Sequence, residues 1–170
     1  MNSKKQLIGL AVVFVVLGAL FVAARLARRE PGGAMAGIAL AKVGGGGTVA
    51  LDSCPTDKCV TVVVAPWCGV CRASTGLINA LAEYFKGRGT HMRVVVSQGP
   101  ASEVEAYAKE FGPEALLDPE GRVPAPGGVP SFVLTDKTGK VLRRMPGVPG
   151  VYQPPYKQEV MRDLEFALGL

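Results

Sequence analysis

Four cysteines carry the chemistry open to this chain, and they fall in two pairs: Cys54 and Cys59 in "DSCPTDKC", Cys68 and Cys71 in "APWCGVC". Side chains three apart share one face of a helix, so Cys68 and Cys71 can meet and close a small disulfide. Thiol–disulfide exchange needs one accessible thiolate to attack and a second thiol to break the mixed disulfide that results. Cys68 suits the first role and the more buried Cys71 the second. Other readings use the same residues. All four cysteines could surround one zinc ion, but C-x4-C-x8-C-x2-C would have to include a strand that belongs in a sheet. Cys68 and Cys71 could also pack as small apolar side chains. A cysteine–histidine nucleophile has only His91 to draw on, at the end of its strand away from Cys68.

The elements expected around the pair favour exchange. Val60–Val64, "VTVVV", reads as a strand buried on both faces. A helix begins at Cys68, with Leu77, Ile78, Leu81, Ala82 and Phe85 at helical spacing and Gly87 to close it. Cys68 therefore stands at a strand end and a helix start, where open α/β sheets place their reaction sites. The free N–H groups and positive partial charge of a helix start favour a thiolate. Arg72 either adds to that charge or is an ordinary solvated residue. Met92–Ser97 is a second buried strand. Ser102 and Glu105 form a capping box for the next helix, which buries Val104, Tyr107, Ala108 and Phe111 and stops at Gly112-Pro113. Ser131–Thr135 and Lys140–Arg144 pair through "DKTGK". Pro155–Leu168 closes the chain as a helix, with Val160, Met161, Leu164 and Leu168 on one face. The order β-α-β-α-β-β-α predicts a small mixed α/β sheet covered by helices on both faces.

The first segment lies outside that domain. Leu7–Ala24 is 18 residues without a charge, close to the length that crosses a bilayer as a helix. Lys4 and Lys5 precede it, and Arg25, Arg28 and Arg29 follow. It is long for a cleaved signal peptide, and arginines crowd the small-residue stretch Val22-Ala23-Ala24. An uncleaved single-pass anchor over residues 1–30, lying in lipid through residues 7–24, is the expectation. That segment holds +4 of the formal net charge of +5, so no basic stripe remains for nucleic acid. Residues 31–47 are rich in Gly and Ala and read as a flexible linker. The folded domain is placed at 48–170.

These residues resemble the thioredoxin superfamily from roughly Val60 to Gly147. Trp67-Cys68-Gly69-Val70-Cys71 fits its W-C-x-x-C site, and Gly128-Val129-Pro130 before "SFVLTD" fits its cis-proline loop. "LLDPEGRV…GGVPSFVLTDKTGKVL" looks most like the membrane-anchored, extracytoplasmic branch. The resemblance implies a thioredoxin-like fold, a cis Pro130 facing the cysteines, and a Val129 backbone that hydrogen-bonds the partner polypeptide. It implies that Trp67 and Pro130 shape the contact surface. The sequence departs from thioredoxins proper in three places. Val62 stands where they carry a buried acid, Val70 replaces a proline between the cysteines, and Gly76 replaces the proline that kinks the helix.

The expectation is a thiol–disulfide oxidoreductase tethered to the cytoplasmic membrane, its domain facing the periplasm or cell exterior. It exchanges disulfides with exported proteins and with a membrane redox donor or acceptor. It needs no cofactor and no metal. Cys54 and Cys59 are expected to form a local disulfide, or else to relay electrons to Cys68 and Cys71. The competing classes are a thioredoxin-fold domain whose Cys68–Cys71 bond never turns over and a four-cysteine metal-binding domain.

Overall fold

The computed structural model describes residues 35–148, 154–155 and 158–170. Among them seven strands form one sheet: β1 (Ala39–Lys42), β2 (Thr48–Ala50), β3 (Lys58–Val64), β4 (Thr90–Ser97), β5 (Leu116–Asp118), β6 (Ser131–Asp136) and β7 (Val141–Pro146). The spatial order is β2-β1-β5-β4-β3-β6-β7. β3 pairs parallel with β4, and β4 with β5. β6 and β7 extend one side antiparallel, and β1 and β2 extend the other. The helices are α1 (Gly69–Ala73), α2 (Thr75–Phe85), α3 (Ala101–Ala108), which runs on into a 3-10 turn, and α4 (Gln158–Leu168).

β3 is the spine. Val60 and Val62–Val64 are all fully buried, and alternate residues face opposite sides of the sheet. Val60, Val62 and Val64 pack with Val94, Val96, Phe132 and Leu134 under the helices. Leu77, Ile78, Leu81 and Phe85 of α2, Val104 and Tyr107 of α3, and Met161, Leu164 and Leu168 of α4 all join this cluster. The opposite face gathers Val63, Val95, Leu116 and Val133 with Met35, Leu40, Leu51 and Val123. No described helix contributes to it. The expectation of helices on both faces is thus corrected, and the reason is topological. β3, β4 and β5 step across the sheet in one direction, so two right-handed crossovers place α2 and α3 on the same side.

A second correction concerns residues 31–47. From Met35 on they are part of the domain rather than a linker. Met35 and Leu40 are fully buried, and β1 pairs with both β5 and β2. The run of glycines is the β1–β2 turn, in which Lys42 N–H donates to the Gly47 carbonyl. The boundary expected at Thr48 cuts through this hairpin. The capping box is also absent: α3 starts from Pro100, without a side-chain cap, and Ser102 lies inside the helix. Gly139 closes the β6–β7 turn as expected. Its φ is 76°, and a Cβ there would lie 2.6 Å from the Asp52 backbone.

The anchor expected over residues 7–24 lies outside the described residues. Among the described residues no helix is long and apolar enough to cross a membrane.

Candidate active site

Cys68 is the N-cap of α1. The chain leaves β3 at Val64, turns through Ala65–Trp67 and enters the helix. Cys68 N–H donates to the Ala65 carbonyl at 3.2 Å, which fixes the turn. Its sulfur accepts the backbone N–H of Cys71 at 3.1 Å. One of the unpaired donors of the first helical turn is therefore aimed at this sulfur, a contact that would favour a thiolate in the reduced state.

Cys68 and Cys71 are disulfide-bonded, with Cα atoms 5.2 Å apart. Exposure separates the two: Cys68 is 7% exposed and Cys71 is fully buried. The Val129–Pro130 peptide is cis. The Val129 carbonyl oxygen lies 3.4 Å from Cys68 Sγ, and Pro130 is buried behind it. The fold thus brings Cys68, Cys71, Val129 and Pro130 to one edge from β3, α1 and the start of β6. Trp67 stands beside them, 62% exposed, with Val70 58% exposed on the other flank. Together they form an apolar rim around a nearly buried sulfur.

Arg72 does not reach for the sulfur. Its guanidinium donates to the Pro66 carbonyl at 2.7 Å, lies 4.7 Å from the centre of the Tyr107 ring and pairs with Glu110 at 3.6 Å. It pins α1 to α3. Tyr107 Oη and Thr75 Oγ1 share a hydrogen bond of 3.1 Å in the same seam, and burial pushes the Tyr107 hydroxyl up from its ordinary value of 10. The helix breaks at Ser74, whose N–H bonds back to Val70 and Cys71. This break falls two residues before Gly76, which stands where thioredoxins proper carry the helix-kinking proline.

Cys54 and Cys59 form the second disulfide, with Cα atoms 5.7 Å apart. It lies at the start of β3, whereas Cys68 follows that strand's end. From Cys59 to Val64 the strand rises about 16 Å at roughly 3.3 Å per residue. The four cysteines therefore cannot gather around one ion, and the four-cysteine metal reading is set aside. Direct relay between the two disulfides within this fold fails for the same reason. The segment that leads into the Cys54–Cys59 loop has structural partners instead. Arg93, 5% exposed, donates to the carbonyls of Ala50, Leu51 and Ser53 and to Thr61 Oγ1 at 2.8–3.2 Å. His91 sits beside Cys59 in the β3–β4 register, at the end away from Cys68, as expected.

Sequence reasoning missed a group next to Trp67. The indole Nε1–H donates to the backbone carbonyl of Gln98, in the turn after β4. Gln98 is the one non-glycine residue with positive φ, 60°, among those described. A signal was present in "SQGP", where Gly and Pro mark a turn at a strand end.

No protein-family model matches the sequence, and no curated protein matches it. Solved structures do. A thiol:disulfide interchange protein of the DsbE type from Chlorobium tepidum, so described provisionally, is 26% identical, with 78% of this chain and 93% of that one aligned and a TM-score of 0.55. The exposed lipoprotein thioredoxin Etrx1 of Streptococcus pneumoniae is 23% identical over 74% of this chain and 98% of its own, TM-score 0.54. The DsbF protein of MTB, seen in mixed oxidised and reduced forms, is 14% identical over 81% and 98%, TM-score 0.56. Fold, paired cysteines and these likenesses agree, and the chain belongs to the thioredoxin superfamily.

Proposed function

We propose that this chain is a membrane-tethered protein thiol–disulfide oxidoreductase with Cys68 as nucleophile and Cys71 as resolving thiol. The observation that carries the reading is the pairing of a helix N-cap sulfur, bonded to the Cys71 N–H, with a fully buried Cys71 three residues on. In the reducing direction the Cys68 thiolate attacks a substrate disulfide. A mixed disulfide forms and one substrate thiolate leaves and takes a proton. The Cys71 thiolate then attacks Cys68 Sγ, which forms the 68–71 disulfide and releases the second substrate thiol. Two electrons pass from the dithiol to the substrate, and the oxidising direction is the reverse. Trp67 and Val70 supply apolar contact. Val129 presents backbone to an extended partner segment beside the sulfur.

The substrates are cysteine pairs in exported proteins. The Cys54–Cys59 disulfide supports an oxidising compartment, as do likenesses described as an exposed lipoprotein and as a disulfide interchange protein. The apolar stretch 7–24 would anchor the chain in the cytoplasmic membrane, hold the domain outside the cytosol and bring it near a membrane redox donor or acceptor. The test is insulin-disulfide reduction by the purified protein with dithiothreitol, alongside Cys68→Ser and the alkylation rate of Cys68 against pH. Turnover lost in Cys68→Ser supports the reading. A reduced Cys68 that neither alkylates nor turns over substrate refutes it.

A further inference from the structure

We infer that Asp118 is a positioning residue for Trp67, acting through the turn that carries Gln98; this rests on the oxidoreductase reading only in the choice of assay. The Asp118 side chain is fully buried, yet it is an acid at the carboxyl end of β5. Its carboxylate accepts from Ser97 Oγ at 2.8 Å and from the N–H groups of Arg122 and Val123 at 2.9 Å each. Arg122 Nε stands 3.7 Å away. Ser97 is its register partner on β4, and the next residue is Gln98. Two turns, "SQGP" and "DPEG", are thereby locked to each other. Gln98 N–H donates to the Asp118 carbonyl at 3.1 Å and Gly99 N–H to the Pro119 carbonyl at 3.3 Å.

The lock explains why Gln98 holds a left-handed backbone that costs a side-chain-bearing residue free energy. In that conformation its carbonyl takes the Trp67 indole N–H. Gly121 completes the fit: a Cβ there would lie 2.9 Å from Gln98 Cγ. An exposed tryptophan beside the reactive sulfur is thus held by one hydrogen bond, whose acceptor is set by a buried acid on another strand. Cys68 is independent of this chain of contacts, because its sulfur takes its N–H from its own helix. Trp67 orientation and Cys68 chemistry should therefore separate on mutation.

The experiment is a double-mutant cycle of Asp118→Asn and Trp67→Phe, read by insulin reduction. Asp118→Asn turns one N–H donor toward an amide NH2 and loosens the turn, while Trp67→Phe removes the indole donor with part of the ring and keeps an aromatic side chain. Each single variant is expected to raise KM about three- to tenfold, the worth of one hydrogen bond, with kcat within about twofold. In the Trp67→Phe background Asp118→Asn adds nothing. The pH profile of Cys68 alkylation stays in place throughout. An equal Asp118→Asn effect in both backgrounds, or a shifted alkylation profile, overturns the inference and leaves Asp118 a general structural residue. Trp67 is the chain's single tryptophan, so its fluorescence anisotropy in the reduced protein provides a second reading that needs no turnover. Anisotropy falls in Asp118→Asn if the inference holds, and unchanged anisotropy overturns it. If the wild-type protein lacks turnover, the oxidoreductase proposal fails and anisotropy alone decides this one. Should Asp118→Asn not fold, Gly121→Ala, which pushes on Gln98 directly, takes its place under the same criteria.

Discussion

Leu40→Ala tests the reassignment of residues 35–47 from linker to core. Leu40 lies mid-β1, fully buried, and packs in the second cluster with Val63, Val95, Leu116 and Val133. A flexible tether would accept alanine there without effect. A filled core position loses the transfer free energy of the deleted carbons and gains a cavity, about 3 kcal/mol together. Unfolding entropy is about 2.1 cal/mol/K per residue, so for a domain of this size the midpoint should fall by roughly 10 °C. Ala39 is the control. It precedes Leu40 on the same strand and is exposed, so Ala39→Ser should stay within about 0.5 kcal/mol. Urea unfolding followed by circular dichroism gives both values, with unchanged slope as the sign that the two-state comparison holds. Exchange activity of folded Leu40→Ala should be intact, since Cys68 and Cys71 belong to the other cluster. A loss below about 1 kcal/mol would refute the core assignment and restore the tether.

Three further outcomes follow from the same structure. Cys54→Ser with Cys59→Ser should keep exchange activity while losing about 2 kcal/mol, the chain-entropy value for so short a loop; loss of turnover in the folded double variant would show that the upstream pair takes part in the reaction. Arg93→Met should destabilise by about 3 kcal/mol, because three carbonyls and Thr61 lose a buried charged donor, and chemical unfolding measures it. Asp136 sits in the β6–β7 turn, where hydrogen bonds, chiefly from the Thr138 side chain, hold its carboxyl below the ordinary value of 3.8. A depressed carboxylate stabilises above that ordinary value, and the contribution is lost as pH falls through the folded value. Asp136→Asn should therefore be less stable than wild type at pH 7 and equal to it near pH 2, by thermal melts at both; a gap that persists at low pH refutes the assignment.

What the sequence revealed and what it hid follow one physical rule. Strands and helices with long apolar patterns were legible: "VTVVV", "MRVVVS" and the α2 face at Leu77, Ile78, Leu81 and Phe85 all bury as their spacing implies. So was the place of Cys68 and Cys71 at a strand end and a helix start, because that place depends on local structure alone. β1, β2 and β5 were not legible. They are 4, 3 and 3 residues long, too short to show alternation, and they exist because β4 and the buried face of the sheet offer them partners. The glycines at 44–47 misled for a related reason. Gly-rich composition fits a tether and a tight turn equally well, and only the pairing of the flanking residues decides between them. Gln98 and Asp118 were silent because their meaning lies in a contact between two turns about twenty residues apart in sequence.

The two cysteine pairs show most clearly why proximity in sequence is a poor guide to function here. Cys59 and Cys68 are separated by one strand and one turn, a spacing that invites a shared metal or a relay. β3 is extended, and an extended chain converts few residues into great distance. The strand therefore sends the pairs to opposite ends of the sheet, and each end imposes its own physics. At the end with α1, one sulfur receives a helix N–H and lies near an apolar rim, which favours attack on a partner's disulfide. At the other end the bond closes a short loop, and the segment before it gives three backbone carbonyls to Arg93. That preceding segment meets the Gly139 turn of the β6–β7 hairpin at Asp52. In the proposed function a partner opens the first disulfide, and the second ties down the far end of the strand that presents it.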